Sequence, residues 1–190
     1  MLNARLARTR LEAGLLALVL IVSPAVSVRQ ALAASAAEIN RDANAELAKL
    51  YQKYPRAKQM AAQAKAILVF PSIYKAGFMF GAQYGEGVLR KGNKSVGYYN
   101  TVAASYGWQA GAQAFGYALF FMNDGALSYL DKSGGFDVGV GPSIVIMDEG
   151  AGKSTTSSTL TQDIYAFIFD QKGLMAGAGL QGSKISRIEK

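Results

Sequence analysis

The sequence contains no cysteine and no histidine. The first absence excludes disulfides, zinc-thiolate sites, thiol nucleophiles and the lipid attachment that exported lipoproteins receive on a cysteine after their signal. The second removes the commonest general base and metal ligand. A long hydrophobic run is also missing. The longest, Ala13 to Val22 (AGLLALVLIV), is ten residues, whereas a helix crossing the hydrocarbon core needs roughly 18 or more. Acidic residues are few and scattered: Asp148 and Glu149 adjoin each other in an expected loop, and Asp137 stands alone in an expected strand. No catalytic constellation or cofactor site emerges, so a non-enzymatic module without cofactors is expected.

What is present begins with a basic head, Arg5, Arg8 and Arg10, then the apolar run, Pro24 and an A-x-A exit at Ala31-Leu32-Ala33. This is the layout of a secretory signal peptide. The expectation is a signal over residues 1–33, cleaved after Ala33 or retained as an anchor, and one domain over 34–190, exported to the periplasm. Of the formal charge of +7, Arg5, Arg8, Arg10 and Arg29 against Glu12 belong to the leader, which leaves about +4. That permits attraction to an anionic surface without demanding it.

From Ala36 to Tyr54 the apolar residues Ile39, Ala43, Leu47, Leu50, Tyr51 and Tyr54 recur at steps of three and four, the pattern of an amphipathic helix. Pro55 suits a first helical position, and a second helix is expected to Ala66. Beyond it come short apolar and aromatic runs punctuated by glycine, the grammar of strands. They are expected at Ala66 to Phe70, Gly77 to Tyr84, Gly87 to Arg90, Val96 to Ala104, Ala114 to Met122, Phe136 to Val140, Ser143 to Met147, Tyr165 to Asp170 and Leu174 to Leu180. Asn123 to Ser133 reads as a short internal helix. The expected class is α+β, with N-terminal helices packed on a curved, mostly antiparallel sheet or barrel.

Three motifs imitate catalytic ones. Gly152-Lys153-Ser154 resembles the end of a P-loop, but Met147 occupies the place of its first glycine, and seven Ser/Thr in the eight residues Ser154 to Thr161 oppose the helix that must follow. Gly177 to Gly182 satisfies G-x-G-x-x-G with only eight residues after it, too few for a dinucleotide unit. Ser72-Ile73-Tyr74-Lys75 has the S-x-x-K spacing of a serine nucleophile and its lysine, in surroundings that read as a turn between strands. No nucleotide partner is expected.

Positive charge gathers at Lys58 and Lys65 around the second helix, at Lys75, and in the loop Arg90-Lys91-Gly92-Asn93-Lys94. Each cation near an anionic bilayer is worth about 1 kcal/mol, which makes these six the candidate lipid contacts. The leading helix and an aromatic set, Tyr98, Tyr99, Tyr106, Trp108, Phe115, Tyr117, Phe120 and Phe121, offer apolar material, most of it expected in the core. Nucleic acid is not expected, given the modest charge and export.

The order of several segments resembles the SYLF domain family. They are Lys65-Ala66-Ile67-Leu68-Val69-Phe70-Pro71-Ser72, Lys75-Ala76-Gly77-Phe78, Gly81 with Tyr84-Gly85-Glu86-Gly87-Val88-Leu89, Gly107-Trp108-Gln109-Ala110-Gly111-Ala112-Gln113, Phe136 to Pro142, and Asp163-Ile164-Tyr165 with Lys172 to Gly177. The resemblance runs from about Ala36 to Ile188. It implies binding to anionic lipids, including phosphoinositides in eukaryotic members, actin binding in fungal ones, and an exported envelope protein in bacteria, with no catalytic activity. It also implies that lipid contact involves an amphipathic N-terminal helix, whose counterpart here is Ile39 to Tyr54. The expected partner is therefore an anionic phospholipid surface, or else an envelope protein.

Overall fold

The leading helix α1, Ala36–Lys53, starts on a capping box: the Ser35 hydroxyl accepts the Glu38 N–H at 3.3 Å, and the Glu38 carboxylate accepts the Ser35 N–H at 2.8 Å. Its apolar stripe, Ile39, Ala43, Leu47 and Leu50, is buried. Tyr54 separates α1 from α2, Pro55–Gln63, which has proline at its first position and buries Ala57 and Met60. A computed structural model provides these observations. It describes residues 33–190 other than 79, 107–110, 133–134, 148–161, 173–179 and 181.

Eight strands follow: β1 Ala66–Phe78, β2 Phe80–Lys91, β3 Lys94–Tyr106, β4 Gly111–Phe121, β5 Phe136–Asp137, β6 Ile144–Met147, β7 Ile164–Lys172 and β8 Lys184–Ile188. Between β4 and β5 lies a helical turn, α3 Asp124–Leu127, continued by a tighter turn over Ser128–Asp131. The strands form one curled sheet in the order β5-β8-β3-β2-β1-β4-β7-β6, antiparallel throughout except for the parallel pair β6 and β7. The expected α+β class with leading helices is what the chain adopts.

Successive residues of a strand point to opposite faces, and the sheet buries both. Ile67 and Val69 of β1, Val88 of β2, Ala118 and Phe120 of β4 and Phe167 of β7 join the stripes of α1 and α2 in one cluster. Leu68 and Phe70, Leu89, Tyr117, Leu119, Phe121 and Ile185 form the other, closed by Leu127 and Leu130 of the internal turn and by Phe136 and Val138. At about 1.5–3 kcal/mol per large apolar side chain, the α1 stripe alone contributes several kcal/mol to holding the helix layer on the sheet.

Several sequence expectations change. The strand ending at Phe70 continues without a turn to Phe78, so Ser72 to Lys75 is strand. Pro71 is accommodated because β1 carries a bulge there: three steps from Val69 to Ser72 face two from Val88 to Glu86, and Phe70 and Ile73 likewise face Tyr117 and Phe115. A proline without an N–H is tolerated where the ladder is already interrupted. Gly116 of β4 lies against this bulge, where an added Cβ would sit 2.7 Å from the Pro71 carbonyl oxygen and 2.4 Å from the Phe169 ring. The expected strand Gly77 to Tyr84 is instead the tip of the β1/β2 hairpin, with Gly77 opposite Gly81 and Phe78 opposite Phe80. Two glycines facing each other let the backbones close, since a Cβ on Gly77 would lie 2.3 Å from the Gly81 Cα.

At the other end of β2, strand extends past Arg90 to the tight turn between Lys91 and Lys94. The second helix stops at Gln63, and the internal helix shortens to α3 and its tighter continuation. The Phe136 strand ends at Asp137, because the Val138 N–H leaves for the Ser183 carbonyl and the Val140 N–H turns back to Asp137. Strand β8 has no counterpart among the sequence expectations. The glycine-lysine loop after Met147 and most of the expected strand Leu174 to Leu180 lie outside the described residues.

Candidate functional site

Strands β1 to β4 are unusually long, 13, 12, 13 and 11 residues against a common length of about 5–6. At about 3.3 Å per residue, β1 spans roughly 43 Å, more than α1 and α2 cover. The helices pack over the half of the sheet near Ile67, Val69 and Val88, and the half beyond the bulge emerges from beneath them. On that distal half the register places Tyr74 beside Tyr84 and Tyr84 beside Val102, and Ala76 beside Ala82 and Ala82 beside Ala104, with Phe80 at the tip. All continue the helix-side face of Val88. Tyr74 is 65 % exposed, Phe80 71 %, Tyr84 39 % and Val102 39 %, and the alanines between them are exposed as well. Large apolar side chains exposed side by side distinguish an interaction surface from singly scattered ones.

Polar groups define the border of this patch. At its inner edge the Glu86 side chain, only 8 % exposed, pairs with Lys190 at 2.9 Å. Its carboxylate also accepts the Tyr84 hydroxyl at 2.7 Å and the Ala34 N–H at 3.0 Å. Burial first, and then the hydrogen bond to Glu86, pushes the Tyr84 phenol up to about 12, so Tyr84 remains a neutral donor at physiological pH. On the β8 side Lys184 stands opposite Val102, exposed on the same face. Lys75, between Tyr74 and Ala76, turns to the opposite face and is half-buried. It lies opposite Gln83, whose buried Nε2 lacks a hydrogen-bond partner among the described residues.

The six cations singled out in the sequence divide between the two ends of the sheet. Arg90 pairs across the sheet with Ile67, two residues after Lys65, and Lys91 faces Lys94 across the adjoining turn. These four share the end where β1 begins. Lys58, on the exposed surface of α2, precedes them in the chain. Lys75 is eight residues further along β1 than Ile67, roughly 26 Å away at the strand rise. Arg90 is engaged in structure: it donates to the Asn44 side chain of α1 and to the Asn93 carbonyl. Nearby, Ser95 donates to Asn40 at 2.6 Å and Asn40 to the Tyr98 hydroxyl at 2.7 Å, so this hairpin is stitched to α1. Lys65 faces Asp124 at 3.7 Å, with both side chains largely exposed.

The leading helix, implied as a lipid contact, has its apolar stripe committed to the sheet. Of the aromatic set, Tyr99, Phe115, Tyr117, Phe120 and Phe121 are buried. Sequence reasoning therefore missed the exposed trio Tyr74, Phe80 and Tyr84. The available signal was the large-residue alternation Phe80, Ala82, Tyr84, which marks one face without saying that the face lies outward. Ser72 and Lys75, three apart on a strand, point to opposite faces, which removes the nucleophile-lysine pairing. A cleft of about 570 Å³ lies between the internal turn and β8, lined by Leu130, Asp131, Lys132, Gly135, Ser186 and Arg187. Both its cations are occupied, Arg187 with Asp131 at 3.7 Å and Lys132 over the Tyr129 ring at 3.1 Å. Among the described residues no cluster of acidic side chains is arranged for a metal, and no helix is long and apolar enough to cross a membrane.

A family model described as Ysc84, Las17-binding protein actin regulator, matches residues 102–190. No curated protein matches the chain. The matched span supplies β4 to β8 and the end of β3, while the segments Lys65 to Leu89 lie outside it. In the sheet β1 lies between β2 and β4, so the matched and unmatched parts share one core.

Proposed function

Since the chain carries a Ysc84 (SYLF) domain over residues 102–190, we propose that it is an exported, non-enzymatic module that binds an anionic phospholipid surface. The exposed aromatic half-face of β1, β2 and β3 is its anchor. The observation that carries this reading is the contiguity of Tyr74, Tyr84, Val102 and Phe80 beyond the helix layer, with Lys184 and Lys75 near their border and Glu86 already neutralised by Lys190. Tyrosine suits the boundary between headgroups and acyl chains, because its apolar ring can enter while its hydroxyl stays hydrated, and phenylalanine adds a wholly apolar ring to the same patch.

Distance decides between the two ends. From Phe80 to Lys91 is 11 residues of β2, about 36 Å, several times the Debye length of about 8 Å in physiological salt. With the aromatic end on the bilayer, Lys91 and Lys94 are screened from it, as are Arg90 and Lys65 beside them. Lys58, Lys65, Arg90, Lys91 and Lys94 then add to the overall field, whereas Lys75 and Lys184 add about 1 kcal/mol each if they reach headgroups.

Co-sedimentation with vesicles of phosphatidylcholine alone or mixed with an anionic phospholipid tests the reading. Tyr74→Ser with Phe80→Ser is expected to lower partitioning about tenfold, equivalent to about 1.4 kcal/mol, in high and low salt alike. Lys184→Gln is expected to lower it about fivefold on anionic vesicles, with the loss fading in high salt. If Lys91→Glu with Lys94→Glu abolishes binding and the aromatic pair does not, the basic turn is the contact. Equal, negligible sedimentation with both vesicle types, together with one stoichiometric protein partner, would favour a protein-interaction module of the kind the family description names.

A further inference from the structure

We infer that Glu86 is the receptor for the α-amino group created when the leader is removed, so that processing after Ala33 completes a charged clasp between the start of α1 and the end of β8. The inference rests on the export reading above and adds what the exported chain does with its new terminus. Two independent observations meet on one atom. The A-x-A exit Ala31-Leu32-Ala33 names Ala34 as the first residue after cleavage, and the structure places the Ala34 nitrogen 3.0 Å from Glu86 Oε2. In the unprocessed chain that nitrogen is a neutral amide with one hydrogen. After hydrolysis of the Ala33–Ala34 peptide bond it is an ammonium with three, and the same contact becomes a charge-assisted hydrogen bond.

The surroundings suit a cation. Glu86 is almost fully withdrawn from water, and Lys190 lies 2.9–3.0 Å from both of its oxygens while donating to the Ala34 carbonyl at 2.8 Å. Ala34 and Lys190 therefore already meet around this carboxylate. Tyr84 on the same strand donates to Oε1, and the cross-strand neighbours are Ser72 of β1 and Asn100 of β3. Asn100 has a buried Oδ1 without a hydrogen-bond partner among the described residues, an acceptor on the same face for one of the added hydrogens. Glu38, the acid in the first turn of α1, is turned to Ser35 and leaves the Ala34 nitrogen to Glu86.

The test uses the full chain expressed in an export-competent host, with the exported form purified and its first residue identified by mass spectrometry. The folded protein is then labelled with a limiting amine-acylating reagent at neutral pH, and the rate at the α-amino group is compared with the same protein unfolded in urea. Two results are expected: a chain beginning at Ala34, and an amine that labels about tenfold or more slowly when folded, the equivalent of one pKa unit. In Glu86→Gln the folded rate should approach the unfolded one. Should that variant fail to accumulate, the folded-to-unfolded ratio of the natural sequence decides. A chain beginning at Ala34 whose amine labels equally fast in both states overturns the capture and leaves export standing. An exported chain beginning elsewhere overturns the processing site and the capture with it, and a chain that is not exported overturns the underlying reading as well.

Discussion

Asn123 and Asp163 show how much single side chains carry where the internal turn meets β7. The Asn123 amide oxygen accepts the Ala126 N–H at 2.7 Å, capping α3, while its amino group donates to Asp163 at 2.8 Å. Asn123→Ala is therefore expected to cost about 1–2 kcal/mol, measurable as a lowered urea midpoint. Asp163 accepts the Ser143 N–H at 2.9 Å and the Ser143 hydroxyl at 3.0 Å as well, and these bonds, the backbone one first, hold its carboxyl below the usual range. A depressed folded value stabilises the fold above the unfolded value of about 3.9 and loses that contribution as pH falls through the folded one. Asp163→Asn should accordingly flatten the decline of the urea midpoint below about pH 4. At Gly116 the prediction concerns space. A methyl group directed at the Pro71 carbonyl and the Phe169 ring forces β1 and β4 apart, and Gly116→Ala should destabilise by about 1–3 kcal/mol in the same assay.

Among the elements, α1 was legible almost to its ends, because a single helix period runs from Ile39 to Tyr54 and its stripe meets the sheet as a unit. Leu47→Ala, which empties a buried position of that stripe, should cost about 2–5 kcal/mol by thermal or urea unfolding. The strands were legible as strands but not in their lengths. Pro71 and Gly77 signal a turn locally, and only the neighbours β2 and β4, with Gly87 and Gly116 opposite the bulge, show that the chain runs on. Strand β8 escaped because Lys184 to Ile188 is five residues with no clean alternation; its pairing with β3 makes it a strand. The candidate surface was hidden for a related reason. Alternation reveals that Phe80, Ala82 and Tyr84 share a face, but which face lies outside depends on where the helices end, a tertiary fact.

For the molecule as a whole, the helix layer and the aromatic half-face divide one side of the same sheet between a buried half and an exposed one. Substitutions on the two halves should separate cleanly. Tyr74→Ser with Phe80→Ser is expected to leave the unfolding free energy from urea titration within about 0.5 kcal/mol of the natural chain, as for exposed positions, while lowering vesicle partitioning; Leu47→Ala should do the reverse until the fold fails. The six cations were readable as charges and not as a group, since β1 carries Lys75 to the far end of the sheet from the Arg90 turn. The extra residue at Pro71 has a consequence for this division. It acts as a phase shift: Ile67 and Val69 beneath the helices are continued on the same face by the even-numbered Ser72, Tyr74 and Ala76. A β1 that ran through the same residues in plain alternation, without the bulge, would keep every apolar side chain it has, yet it would present Ile73 and Lys75 where Tyr74 now stands and drive the tyrosine inward. The outward chemistry of the distal half thus hangs on the bulge absorbing one residue: an unbulged pairing of the same sequence would exchange its inside for its outside, whereas deletion of Pro71 would straighten the strand and leave Tyr74 outward.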